Sequence, residues 1–316
     1  MYNYCTLFDS HYLTRGLVMY ESLKKHSKNF HLYIFAFDDK SLKLLKRMKL
    51  DNTTLVSLEE FEDKELLEVK SDRSVAEYCW TCTPSIIKHA IEKFQLKSCT
   101  YIDADVYFYG DPSVLVEEMR NKSVLITEHR YTKGYERNLK FGIYCVQFIT
   151  FKSNDEGMKA LNWWRNACIK WCYAKLESGR YGDQKYLDDW TKRFKGVHVL
   201  KNLGGGVAPW NVQQYDIKKD FSKLIFYHFH NFKMLENNKV DLSNYKFTKN
   251  DIDFLYKPYF KHLHRIYSLV RRYDKSGYFS GIEKKGSFSL KGFLKRQKRI
   301  LRGTSNILNL KHLIEK

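Results

Sequence analysis

Short apolar runs rich in β-branched and aromatic residues alternate with segments of helical period along most of the chain. "YNYCTLF", "FHLYIFAF" and "TTLVSL" read as strands, with "YLTRGLVMYESLKKH" and "DDKSLKLLKRM" as the helices between them. "TPSIIKHAIEKF" predicts a helix opening at Thr83 and Pro84, a cap and first-turn pair. "CTYIDADVYFYGDP" predicts a strand, and "DPSVLVEEM" a helix turning away from it. "SVLITEH" and "GIYCVQFITFK" are two further strands, joined by a basic loop over 129–141. Ser153 and Glu156 form a capping-box pattern ahead of a long helix, and "GDQKYLDDWTKRF" is a helix with Asp183 at its start. After the glycine-rich loop "LGGGVAPWN", "KLIFYHFHNFK" is a strand carrying two histidines. This alternation is that of an α/β protein, a mixed sheet flanked by helices, and it occupies residues 1–254.

One strand breaks its own pattern. Asp103 and Asp105 sit one residue apart in an otherwise apolar run, and strand alternation points both to one face. Two parallel carboxylates repel each other unless a cation lies between them. Hard oxygen ligands at the C-terminal end of a strand in an α/β sheet suit magnesium or manganese, which in turn neutralises a diphosphate. Downstream, "FYHFHNFK" adds His228, His230 and Lys233. By alternation both histidines share one facing, so the residues alone leave either as a third ligand.

In this order, the D-x-D, the "DQ" of Asp183 and Gln184 and the H-x-x-x-x-K of His228 to Lys233 resemble the GT-A-fold glycosyltransferases. The likeness is to family-eight-like retaining enzymes of the bacterial lipopolysaccharide or capsule type, and it covers about residues 2–235. It implies a Rossmann-like GT-A domain that moves a sugar from a nucleotide-diphosphate donor, UDP-linked in this class, to a hydroxyl of a glycan or lipid-linked acceptor. Asp103 and Asp105 match the metal-binding pair, Asp103 also touching the donor. His228 matches the third ligand and Lys233 the cation on the donor phosphates. Cys5, Thr6, Asp9 and Tyr12 match the first strand end and loop that receive the nucleobase and ribose. Asp183 and Gln184 match the pair beside the transferred sugar, and for an inverting reaction Glu128 or Asp183 is the carboxylate available as base. The sequence departs from the family at Asn231, where a glycine is usual, at Lys233, one residue early, and at "CVQF", where Gln147 replaces part of an Asn-Ala-Gly strand.

Charge changes the picture at one end. The chain carries a formal +19, and residues 257–316 hold sixteen Lys or Arg against Asp274, Glu283 and Glu315. Residues 255–316 therefore read as a basic helical extension. Within it, 289–302 drawn as a helix puts Leu290, Phe293, Leu294, Ile300 and Leu301 opposite Lys291, Lys295, Lys298, Arg299 and Arg302. That separation fits an anionic membrane surface, the inner leaflet that would present a lipid-linked acceptor. No apolar run reaches the length of a membrane span, the N-terminus has no basic and apolar leader, and the seven cysteines suit reduced thiols, "CWTC" included. The expectation is a cytoplasmic protein, peripheral at the membrane. Two readings compete with the enzyme: a polybasic nucleic-acid-binding protein, which the absence of an RNA-binding motif disfavours, and a sugar-nucleotide-binding module without turnover.

Overall fold

β-branched and aromatic runs build one central seven-stranded sheet in the computed structural model, which describes residues 1–276, 279, 281–283 and 297–315. Strands β1 (Tyr2–Phe8), β2 (Phe30–Ala36) and β3 (Thr53–Ser57) are parallel, and β1 pairs in parallel with β4 (Ser98–Ile102) on its other side. β5 (Val106–Phe108) leaves that sheet. β6 (Val124–Glu128) and β7 (Tyr144–Lys152) run antiparallel to each other, with β7 against β4 and β8 (Val197–Val199) at the edge beside β6. The resulting order is β3-β2-β1-β4-β7-β6-β8. β9 (Phe226–His228) pairs antiparallel with β5, placing Val106 opposite His228. A second sheet joins β10 (Lys233–Leu235), β11 (Lys239–Asp241), β12 (Ile282–Glu283) and β13 (Ile307–Asn309) in the order β12-β10-β11-β13.

Strand alternation feeds two cores. Tyr4 and Phe8 of β1 pack with the helix Leu13–His26 on one face, and Cys5 and Leu7 pack with the helix Val75–Lys93 on the other. Each fully buried Leu, Ile or Phe contributes about 1.5–3 kcal/mol, so both faces are strongly held. From β1 the chain steps outward to β3, then crosses to β4 on the far side. The C-terminal ends of β1 and β4 therefore flank a topological switch point, where open α/β sheets bind ligands.

Three local expectations give way to stronger signals. The helix expected at Thr83 opens at Val75, because Ser74 and Glu77 form a reciprocal capping box there and Pro84 falls inside. An interior proline costs about 3 kcal/mol, which burial of Tyr78, Cys82, Ile86, Ile87 and Ala90 offsets. Asn154, not Ser153, caps the helix Asp155–Lys170 by accepting from Gly157 N. Asp103 and Asp105 occupy a turn between β4 and β5 and not a strand, with Val106 N donating to Asp103 O at 3.1 Å.

The basic end of the chain is tied to the body. The helix Lys257–Tyr273 buries Tyr259, Phe260, Leu263, Ile266 and Val270, and β12 and β13 flank β10 and β11. Within 289–302, residues 289–296 lie outside the described residues. The helical turn from 297 carries Ile300 and Leu301, 50% and 87% exposed, while Arg299 turns inward onto Asp241 with contacts of 2.5 and 2.6 Å. No helix among the described residues is long and apolar enough to cross a membrane.

Candidate active site

Two pairings far apart in sequence assemble the acidic centre. Asp103 N donates to Gln147 O of β7 at 3.1 Å, which fixes the turn as it leaves β4. The β5–β9 ribbon then brings His228 alongside, and Phe229 N donates to Asp105 O at 2.9 Å. His228 Nε2 lies 3.0 Å from Asp105 Oδ1 and 3.5 Å from Asp103 Oδ2. Tyr101 donates its hydroxyl to Asp103 Oδ1 at 2.8 Å.

Burial governs the protonation of this cluster. It raises the Asp103 carboxyl to about 6, against the attraction of His228 and with the repulsion of Asp105. Burial opposes ionisation of Asp105 as well, but the charge and hydrogen bond of His228 bring that carboxyl to about 2. Desolvation pushes His228 down and Asp105 more than reverses it, so the imidazole is raised well above its ordinary value. Asp103, Asp105 and His228 each offer one ligand atom, all within 4.8 Å of one another. Two carboxylate oxygens and one imidazole nitrogen fit a divalent ion of the manganese or magnesium type. His230 is exposed and turns its ring toward Trp210 and His228, with centroids 5.4 and 5.3 Å away, outside this cluster.

A divalent ion and the His228 proton compete for the same carboxylate field. Manganese affinity is therefore expected to rise with pH from about 6, where Asp103 ionises, onward through the raised titration of His228, with net proton release on binding. Calorimetry in two buffers of different ionisation enthalpy measures that release, and its absence would contradict the ligand set.

Asn231 explains one departure from the family pattern. It has φ of 61°, the left-handed conformation that glycine adopts freely and asparagine tolerates better than other residues. Asn231→Gly is expected to preserve stability and metal binding, and Asn231→Val to lose about 1–2 kcal/mol and weaken both. Urea denaturation with manganese titration checks this pair, and equal behaviour of the two variants would contradict it.

The acidic cluster sits where two cavities meet. A cavity of about 570 Å³ runs from Leu7, Phe8, Asp9 and Tyr12 past Cys79 and Trp80 to Asp103 and Asp105. The other, of about 240 Å³, lies between Asp103, His129, Asp183, Gln184, Trp210 and Tyr245. Trp80, Thr83, Asp103, Tyr181, His228 and His230 line both. Asp9 Oδ1 accepts from His11 N and Tyr12 N, each at 3.0 Å, shaping the loop after β1. Tyr12 lies flat enough for Arg15 to sit 4.3 Å from its ring centroid, with Phe232 at 4.4 Å from the same guanidinium.

Asp183 is buried in the smaller cavity. Burial first, then the charge of Asp103, push its carboxyl up to about 8. It stands at the start of the 3-10 segment Gln184–Asp189 but makes no side-chain cap, so helix capping does not account for it. Gln184 donates Nε2 to Phe141 O at 2.9 Å and thereby ties the 136–141 loop to this wall.

Other expected residues fall elsewhere. Cys5 and Thr6 are fully buried on β1, short of the cavity, whose wall comes instead from Leu7 and Phe8 at the strand's end. Glu128 ends β6 opposite Tyr144 and lines neither cavity, because the adjacent His129 takes the inward facing. Lys233 opens β10 opposite Asp241 and also lines neither. Sequence reasoning missed the aromatic walls formed by Trp80, Tyr181, Trp210 and Tyr245. Only Trp80 and Trp210 stood in segments singled out beforehand, as part of "CWTC" and "LGGGVAPWN".

No protein-family model matches the chain. The uncharacterized protein YfnD of Bacillus subtilis (strain 168) is 32% identical over 280 residues, covering 84% of this chain and 89% of YfnD. YfnF of the same organism is 29% identical over 300 residues, covering 89% and 97% respectively. Among solved structures, the bifunctional glycosyltransferase WbbM matches 73% of this chain and 46% of its own at 13% identity, with a TM-score of 0.50. The galactosyltransferase LgtC matches 72% of this chain and 87% of its own at 11% identity, with a TM-score of 0.49. The mixed seven-stranded sheet flanked by helices is the fold that the likeness to WbbM shows. The chain belongs to the family of Bacillus subtilis YfnD and has the GT-A glycosyltransferase fold.

Proposed function

We propose that the protein is a metal-dependent glycosyltransferase that moves a sugar from a nucleotide-diphosphate donor, a UDP-sugar, to a hydroxyl of a glycan or lipid-linked acceptor with retention of configuration. The observation that carries this reading is the Asp103–Asp105–His228 cluster at the junction of two cavities. Asp9 and Tyr12 receive the base and ribose in the larger cavity, Tyr12 as an aromatic platform. Asp103, Asp105 and His228 hold manganese or magnesium against the diphosphate. When bound, the ion supplies the Lewis acidity that offsets charge on the departing diphosphate. Asp183 and Gln184 position the transferred sugar in the smaller cavity, where the acceptor hydroxyl enters. Retention supports acceptor approach on the leaving-group face, so no opposite carboxylate is required, in keeping with Glu128 lying outside both cavities.

In the same reading, residues 1–254 form the catalytic unit and 255–316 an extension that meets an anionic membrane surface on its cytoplasmic side. A lipopolysaccharide or capsule intermediate is the acceptor class that such an arrangement serves. Removing everything past residue 284 would also remove β13 and the Arg299–Asp241 pair, so charge substitution at Lys291 and Lys295 is the cleaner test of membrane contact.

Thermal melting across UDP-, GDP- and CMP-sugars with manganese tests donor binding. A ligand at a hundred times its Kd stabilises by about 2.7 kcal/mol, which corresponds to a rise of about 5 °C. A manganese-dependent rise with UDP-sugars is the expected result. Absence of any shift with every nucleotide-sugar and ion would remove the reading.

A further inference from the structure

Next to the smaller cavity lies a third, of about 390 Å³, lined by Tyr135, Arg137, Asn138, Asn244, Tyr245, Lys298, Arg299, Arg302 and Thr304. Asn138 and Tyr245 line both, so the two spaces adjoin at these side chains. The larger nucleotide-side cavity shares no residue with the third, which places the third on the far side of the transfer site.

This wall is built and not an accident of surface lysines. Arg299 makes a paired contact with Asp241 at 2.5 and 2.6 Å and donates to Ser243 O at 2.8 Å, and Asn306 Nδ2 donates to Tyr245 O at 2.6 Å. These bonds seat the turn from 297 against the loop that carries Tyr245. Tyr135 packs on Tyr245 with ring centroids 5.0 Å apart, and its hydroxyl accepts from Lys246 N at 3.1 Å. With Arg299 neutralised by Asp241, the charge left on the wall is that of Arg137, Lys298 and Arg302. Lys298 and Arg302 stand one helical turn apart, and none of the three has an ion-pair partner among the described residues. Three cations around a concave, partly aromatic space, with amide donors from Asn138 and Asn244, match an oxyanion attached to a sugar.

We propose that this cavity is an acceptor subsite for a phosphate-bearing sugar, which it holds with the accepting hydroxyl directed past Asn138 and Tyr245 into the transfer site. The proposal rests on the transferase reading above and names the acceptor's chemical class within it. The anion belongs to the acceptor itself. A membrane headgroup offers the same phosphate chemistry and is the alternative that the test separates.

The probe is glucose 6-phosphate, titrated by calorimetry into the full chain beside glucose, with the triple variant Arg137→Ala/Lys298→Ala/Arg302→Ala in parallel. All three side chains are outside the buried core, so the variant is expected to keep its fold and its manganese-dependent UDP binding. The expected result is saturable binding of glucose 6-phosphate at least tenfold tighter than glucose, lost at least tenfold in the triple variant and unchanged in Asp105→Asn. Equal binding by wild type and triple variant, or equal binding of glucose and its phosphate, overturns the proposal. Sedimentation with phosphatidylglycerol vesicles forms the second arm. If the triple variant loses vesicle binding while retaining glucose 6-phosphate, the cations serve a lipid surface and the acceptor subsite is wrong. Failure of UDP and manganese to bind wild type, with the sugar phosphate still held by these cations, would count against the transferase reading alone.

Discussion

Asp105→Asn is expected to lower kcat/KM for transfer at least about a thousandfold, a loss of about 4 kcal/mol of transition-state stabilisation, with the fold intact. Asp105 is 9% exposed, and its carboxylate lies 3.0 Å from His228 Nε2, inside the cluster that fits a divalent ion. Asparagine keeps the volume and one oxygen but removes the negative charge that holds a cation against a diphosphate. A buried ion pair broken on one side ordinarily costs several kcal/mol, because the remaining charge is stranded. Here the survivor is an imidazole, which keeps Asp103 as a partner at 3.5 Å and can also release its proton, so the cost to folding is small. Circular dichroism should therefore show a native spectrum and a melting point within a few degrees of wild type. Substantial transfer by the variant, or an unfolded protein, would each contradict the assignment of Asp105 as a ligand.

The second large effect is expected at Asp183. Asp183→Asn should lower kcat by about a hundredfold or more while donor affinity changes by less than about threefold. Its carboxyl is buried, lines the smaller cavity, and is shifted by the charge of Asp103 next to it. It makes no side-chain helix cap, and the backbone of Asp183 and Gln184 that hydrogen-bonds its carboxyl still finds an amide oxygen in asparagine. A residue at the transferred sugar acts on the reacting centre and leaves nucleotide binding to the opposite cavity. Separate measurement of kcat and of the donor dissociation constant decides it. Equal losses in both would mean that Asp183 only supports the loop around it.

Much of the sheet was legible because its strands are apolar, β-branched and bounded by turn residues. β1, β2, β3, β6 and β7 all fall within the segments that alternation picked out. The Asp pair was legible as an anomaly of charge but not as a turn. Its flanking residues look like one continuous strand, and only pairing with β7 on one side and β9 on the other splits them. That split also brings His228 into the cluster with the two carboxylates. Alternation gives His228 and His230 one facing, whereas β9 ends at His228 and the left-handed Asn231 turns the chain, leaving His230 exposed. Glu128 was chosen as an acid near a strand end, yet the same alternation that brings His129 into the cavity carries Glu128 out. Cys5 and Thr6 were placed too early on β1 by the same margin: burial continues to the end of the strand, and the cavity starts at Leu7.

Residues 289–302 at the basic end of the chain were read as one amphipathic helix. In the described part, Arg299 belongs to an internal ion pair, while Lys298 and Arg302 line a cavity and Ile300 and Leu301 face outward. Charge counting finds such residues but not their partners, since Asp241 lies far away in sequence on β11.

The central claim is that Asp103, Asp105 and His228 bind a divalent ion together with a nucleotide diphosphate. Calorimetric titration of UDP into the full chain, with manganese and then with excess chelator, tests it most directly. The expected result is at least tenfold tighter binding with manganese, abolished by chelator and by His228→Ala but retained in His230→Ala. UDP binding of equal strength in manganese and in chelator, or loss in His230→Ala with His228→Ala unaffected, would contradict it.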